Sequence, residues 1–140
     1  MNILFLCTGN SCRSQMAEGW ARALKPDVLT AYSAGIEKHG LNPYAVRAMQ
    51  EAGVDIRGQQ SQTVADIGPV EFDVVVTVCG HADENCPVFT GAPRVVHQPF
   101  DDPPRLAADL TDDEAKMAVY RRVRDEIRQY VESLPGSLDT

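Results

Sequence analysis

The chain has no apolar run near the ~18 residues that a membrane-spanning helix needs, so no span is expected. It has no basic leader either. Its opening MNILFLCTGNSCRS lacks a small-residue cleavage site, so no signal peptide is expected and a cytoplasmic location is. Positive charge is not in excess: the net charge is −7, and residues 61–140 carry seven Lys/Arg against fifteen Asp/Glu. That balance argues against nucleic-acid binding and against docking on an anionic membrane. Repeats, low-complexity tracts and linker-like stretches are absent, so one domain over residues 1–140 is expected, with a single core. An apolar content of 44% with 24% charged residues excludes a disordered or fibrous chain.

What is present reads as alternating strands and helices. Ile3–Leu6 is a short continuous apolar run, the signature of a strand buried on both faces. After it come a loop, Cys7–Ser11, and a helix carrying Met16, Trp20 and Leu24 on one face, ended by Pro26. Further strands are expected at Val28–Ser33, Asp73–Val78 and Arg94–Gln98, and a short helix at Ser61–Ile67. Asn42-Pro43 caps and opens a second helix that stops at Gly53, and Thr111-Asp-Asp-Glu114 reads as a capping box before the last. The expected fold is α/β: a four-stranded, mostly parallel open sheet with helices on both faces.

In such folds ligands bind where the strands end and helices begin. The first such turn is Cys7-Thr8-Gly9-Asn10-Ser11-Cys12-Arg13-Ser14, a C-x5-R-S pattern. Gly9 and Asn10 tolerate left-handed backbone, so successive N–H groups can turn inward as an anion nest. The helix adds its positive end, and Arg13 can grip two oxygens of a tetrahedral oxyanion. Cys7 lies at the base of that cup, where these features should lower its thiol pKa below the usual ~8.5. Ser14 is placed to donate to the sulfur. No Gly-Lys-Ser/Thr follows, so this is not the ATP-type phosphate loop.

A nucleophile needs an acid for the leaving oxygen. Asp101 and Asp102 follow the fourth strand on the same sheet edge, and Asp102 precedes proline, which holds it extended. Cys79 follows the third strand, and Cys86 lies seven residues on. On a helix those two would stand roughly 10 Å apart along the axis, beyond the ~4.4–6.8 Å Cα spacing of a disulfide. A bond between them requires the segment to unwind, which suits a redox switch better than a structural bridge. A metal set of Cys79, His81, Cys86 and His97 matches no standard zinc spacing, and inert thiols are the third alternative. Cys12 reads as a packing residue.

Cys7–Gly19, together with Val-Thr-Val-Cys79, Asn-Cys-Pro87 and Phe-Asp-Asp-Pro103, resembles the thioredoxin-coupled arsenate reductases, which share the low-molecular-weight protein tyrosine phosphatase fold. The resemblance runs through Arg122–Ile127 and implies an enzyme of arsenic detoxification. By that resemblance Cys7 attacks arsenate, with the loop from Thr8 to Ser14 (Gly9, Asn10, Ser11, Cys12 and Arg13 included) holding the oxygens. Asp102 protonates the leaving oxygen. Cys79 then attacks Cys7 and releases arsenite, and Cys86 resolves the Cys7–Cys79 disulfide to give Cys79–Cys86 for thioredoxin to reduce. The resemblance implies arsenate and thioredoxin as partners, a monomer, and no tightly bound cofactor. Some relatives hold potassium through Asn, Glu, Ser and Asp; Asn10, Glu18 and Ser33 match, but Gln62 stands at the aspartate position. Pro103-Pro104 and Asp109–Glu114 lengthen the link to the last helix. Two other functions compete. One is a phosphatase hydrolase using Cys7, Arg13 and Asp102, for which Tyr44 is the lone aromatic candidate after Gly35. The other is a thiol-based binder of metal or arsenite.

Overall fold

The computed structural model describes residues 1–79 and 92–139. Strands β1 (Asn2–Cys7), β2 (Thr30–Gly35), β3 (Val74–Thr77) and β4 (Val95–His97) form one sheet in the order β2-β1-β3-β4. All three pairings are parallel. The order places β1 in the middle, flanked by two strands that come later in the chain.

Central placement explains the uninterrupted apolar run of β1. Ile3, Phe5 and Cys7 face one core, with Val74, Val76 and Val78 beside them. Leu4 and Leu6 face the other, with Val75, Ala34 and Phe72. The first core is covered by α1 (Arg13–Leu24), α2 (Pro43–Glu51) and α5 (Asp113–Glu132). The second is covered by α3 (Val64–Ile67) and the chain leading to Phe72. Helix α1 contains no β-branched residue, and its Met16, Ala17, Trp20 and Ala21 are buried, as the sequence periodicity predicts.

Four local readings are corrected by tertiary contacts. Strand β2 starts at Thr30 rather than Val28, because the Val28 and Leu29 N–H groups both donate to the Lys25 carbonyl, closing a turn after α1. The short helix starts at Val64, not Ser61, with Thr63 and Asp66 forming its capping box. The last helix is capped by Asp112, whose carboxylate accepts from the Ala115 N–H, rather than by Thr111. The lengthened link contains a further short helix, α4 (Pro103–Ala107), packed against α5. Asn42 does cap α2, accepting from the Tyr44 and Ala45 N–H groups, with Pro43 in the first turn.

Because every strand runs the same way, their C-terminal ends share one edge. Cys7, Gly35, Thr77 and His97 all lie there.

Candidate active site

At that edge the chain leaves β1 and enters α1 through Thr8–Cys12. Every carbonyl of this loop accepts a hydrogen bond from outside. Thr8 O accepts from Glu37 N–H at 3.1 Å, Gly9 O from His39 N–H at 3.0 Å, and Ser11 O from Asn42 N–H at 2.9 Å. Asn10 O accepts from the buried Gln15 amide at 3.0 Å, and Cys12 O from Met16 N–H at 2.9 Å within the first turn. In a trans peptide the next residue's N–H points opposite to the carbonyl. Carbonyls engaged by these outside partners leave the amides of residues 9–13 turned away from them, an arrangement compatible with an anion nest.

The left-handed residue in this turn is Asn10, at φ +48°. Gly9 does not share that conformation. A Cβ there would stand 2.3 Å from Nδ1 of His39, so the ring in its present place requires a residue without one. Asn10 is wholly buried and ties the loop to its surroundings. Its Nδ2 donates to Ser14 Oγ at 2.9 Å, and its Oδ1 accepts from the Gln62 N–H at 2.8 Å and from Gln15 Nε2 at 3.0 Å. Ser14 Oγ thus accepts from Asn10 and keeps its own proton to donate.

The cup opens into a cleft of about 380 Å³ lined by Cys7 through Arg13 together with His39, Asp102 and Pro104. Cys7 and Cys12 both carry thiols and both are buried. Cys12, at the N-cap of α1, is held far above the ordinary thiol range by burial, which outweighs the adjacent Arg13. It stays protonated, as a packing residue would. Arg13 is 4% exposed. Its Nη1 donates to the Phe100 carbonyl at 3.0 Å, and its Nη2 lies 3.8 Å from Asp102 Oδ1.

The two neighbouring aspartates are separated by the structure. Asp101 turns outward to pair with Arg122 at 2.9 Å. Asp102 is extended (φ −89°, ψ +104°), as the following proline requires, and faces the cleft. Its carboxylate does not cap α4.

Cys79 lies two residues beyond Thr77, the residue in register with Leu6, and so stands at the strand end next to Cys7. It is fully buried and disulfide-bonded. Cys86 and His81 lie outside the described residues. His97 is engaged through Nδ1 by Thr77 Oγ1 at 2.8 Å, and among the described residues no group of three or more His, Cys, Asp or Glu could hold a metal ion.

The residues matched to a potassium site do come together, but their oxygens are already taken. Ser33 Oγ donates to Glu18 Oε1 at 2.6 Å, while Arg22 pairs with Glu18 Oε2 at 3.0 Å. Gln62, at the position of the relatives' aspartate, adds an amide that donates to Ser33 O at 3.1 Å. Two N–H groups converge on Asn10 Oδ1, and a guanidinium neutralises the carboxylate, so this donor set does not fit a cation. The sequence reading did not find Gln15, nor Gln59, whose Nε2 donates to Gln15 Oε1 at 2.8 Å, nor Ser61, whose Oγ donates to Gly9 O at 3.3 Å, nor His39 at the mouth. Their role depends on folding segments 35–42 and 59–62 against the loop, for which the sequence carries no local signal.

The model of the low molecular weight phosphotyrosine protein phosphatase family matches residues 2–140. An arsenate reductase of Halalkalibacterium halodurans is 53% identical over 131 residues, covering 94% of this chain and 92% of that one. An arsenate reductase of Bacillus subtilis is 53% identical over 125 residues, covering 89% and 88%. A solved structure described as an arsenate reductase in the phosphate binding state superposes with a TM-score of 0.72 at 31% identity, covering 95% of each chain. With the Cys7–Ser14 loop at the end of β1 and likeness over nearly its whole length, the chain belongs to the low molecular weight phosphotyrosine protein phosphatase family and, within it, to the arsenate reductases.

Proposed function

We propose that the protein reduces arsenate to arsenite by a three-cysteine relay that thioredoxin resets, in the cytoplasm, as an arsenic-detoxifying enzyme. The observation that carries this reading is the placement of two cysteines at one sheet edge. Cys7 ends β1 and lines the cleft, and Cys79 follows the end of the adjacent strand β3 by two residues.

The Cys7 thiolate, favoured by the nest amides, the α1 N-terminus and Arg13, attacks arsenic. The amides and Arg13 hold the remaining oxygens, while Asp102 gives a proton to the oxygen that leaves as water. The product is a Cys7–arsenic(V) thioester. Cys79 then attacks the Cys7 sulfur. The S–As electron pair stays on arsenic, which departs as arsenite, and a Cys7–Cys79 disulfide forms. Cys86 attacks Cys79, frees Cys7 as a thiolate and leaves Cys79–Cys86 for a dithiol of thioredoxin to reduce. Ser14, with Asn10 donating to its oxygen, keeps a proton for the Cys7 sulfur.

NADPH oxidation with thioredoxin and its reductase, with and without arsenate, tests the relay. Arsenate-dependent turnover should vanish in Cys7→Ser, Cys79→Ser and Cys86→Ser, and Cys86→Ser should still release one equivalent of arsenite. Asp102→Asn should slow the first chemical step in single turnover. Aryl-phosphate hydrolysis that survives Cys79→Ser and Cys86→Ser, with no arsenate turnover, would make the protein a hydrolase instead.

A further inference from the structure

We propose that His39, oriented by Glu37, is an oxyanion-binding residue at the mouth of the cup. The inference rests on the reading of the cup as an oxyanion site. Among the described residues that line the cleft, Arg13 is the one permanently charged cation, and it is already engaged by the Phe100 carbonyl and by Asp102 nearby. The entering ligand is an anion, and it meets a thiolate below. A second positive donor at the mouth would offset that repulsion.

Among the described lining residues, His39 can supply it. Its position is set by the same contacts that shape the nest. Glu37 N–H bonds Thr8 O, His39 N–H bonds Gly9 O, and the ring edge carrying Nδ1 lies against Gly9, whose missing Cβ makes room for it. Nε2 faces Glu37 Oε2 at 2.7 Å. That carboxylate fixes the ring, and when the imidazole is protonated Nε2 donates to Glu37 while Nδ1 becomes a donor on the loop side. A surface ion pair unrelated to the cup would need neither the two backbone bonds to the loop nor the glycine beneath the ring.

The test has two readouts. In arsenate turnover, His39→Ala should raise KM about tenfold with kcat changed less than twofold, the mark of a group that binds substrate without taking part in bond-making. His39→Asn, which keeps an N–H donor near the place of Nδ1, should recover most of the loss. Inorganic phosphate binding to Cys7→Ser protein, measured by calorimetry, should weaken about tenfold on adding His39→Ala and recover with His39→Asn. Because the ring is about half exposed, the melting temperature should stay constant across the set and report any misfolded variant. Unchanged KM and unchanged phosphate affinity in His39→Ala overturn the proposal, as does equal loss in the Ala and Asn variants. If arsenate is not turned over at all while phosphate binding still depends on His39, the residue's role stands and the proposed reaction falls.

Discussion

Gly35 ends β2 directly behind the anion loop, and replacing it with alanine tests whether that loop is held as rigidly as its hydrogen bonds imply. The added Cβ would stand 2.6 Å from Thr8 O, 2.6 Å from Glu37 O and 2.8 Å from Asn10 N. All three are backbone atoms, so no side chain can swing aside. Relaxed contact requires about 3.5 Å, so the loop or the 35–37 segment must retreat by roughly 0.9 Å. Overpacking of this kind costs about 1–3 kcal/mol, which corresponds to a fall in Tm of roughly 4–12 °C for a domain of this size. A shift near 1 Å in groups that position a reactant costs on the order of 10²-fold. Gly35→Ala should therefore lose about that factor in phosphate affinity, read by calorimetry on Cys7→Ser protein, and in single-turnover arsenate reduction. Two controls sharpen the result. Gly19→Ala would press its Cβ to 2.6 Å from Ile56 Cγ2 and 3.2 Å from Met49 Cε, stressing the core but not the loop, so Tm should fall while oxyanion affinity holds. Gly58→Ala meets nothing within 4 Å and should be silent in both. Oxyanion affinity within twofold of the parent in Gly35→Ala would refute the rigid-loop argument.

Three further outcomes follow from the packing. Burial raises the Glu18 carboxyl above its ordinary range, outweighing the hydrogen bond from Ser33 and the charge of Arg22. The stability contributed by neutral Glu18 is thus full below the ordinary glutamate value and lost as pH rises through the raised one; the wild-type minus Glu18→Gln difference in unfolding free energy should fall as pH rises above the ordinary glutamate value, and a flat difference would count against it. Trp20 is 2% exposed, donates Nε1–H to the Arg124 carbonyl at 3.1 Å and lies 5.0 Å under the Arg128 guanidinium, so Trp20→Ala should cost about 3–5 kcal/mol in urea unfolding, and a loss under ~1.5 kcal/mol would contradict this account. Asn42→Ala removes the α2 cap and the donor to Tyr120 Oη but keeps the backbone N–H that holds Ser11, so stability should fall by about 1–2 kcal/mol with oxyanion affinity within threefold.

Much of the chemistry is local and so is written in consecutive residues. An apolar strand, a turn containing Gly9 and Asn10, then Arg13 opening a helix with no β-branched residue, together make the cup's outline legible within about a dozen positions. Asn42-Pro43 and the extended backbone forced on Asp102 by Pro103 are equally local, because a cap or a pre-proline restriction acts over one or two residues. The parallel sheet follows from the alternation of strands and helices.

What tertiary structure decided lies in contacts between distant segments. Strand β1 is central because β2 and β3 pair on either side of it, and that order collects Cys7, Cys79 and the Asp102 loop at one edge. The nest is aimed by donors from residues 35–42 and by Gln15 and Gln62, 5 to 52 positions away from the groups they hold. Asp101 and Asp102 are chemically identical neighbours, and Arg122, from α5, pairs with one outward while the other, near Arg13, faces the cleft. His39 acquires its place at the mouth in the same way, from two backbone bonds and the room above Gly9. A residue's type sets which proton or charge it can offer, but the partner across the fold sets where that offer is made.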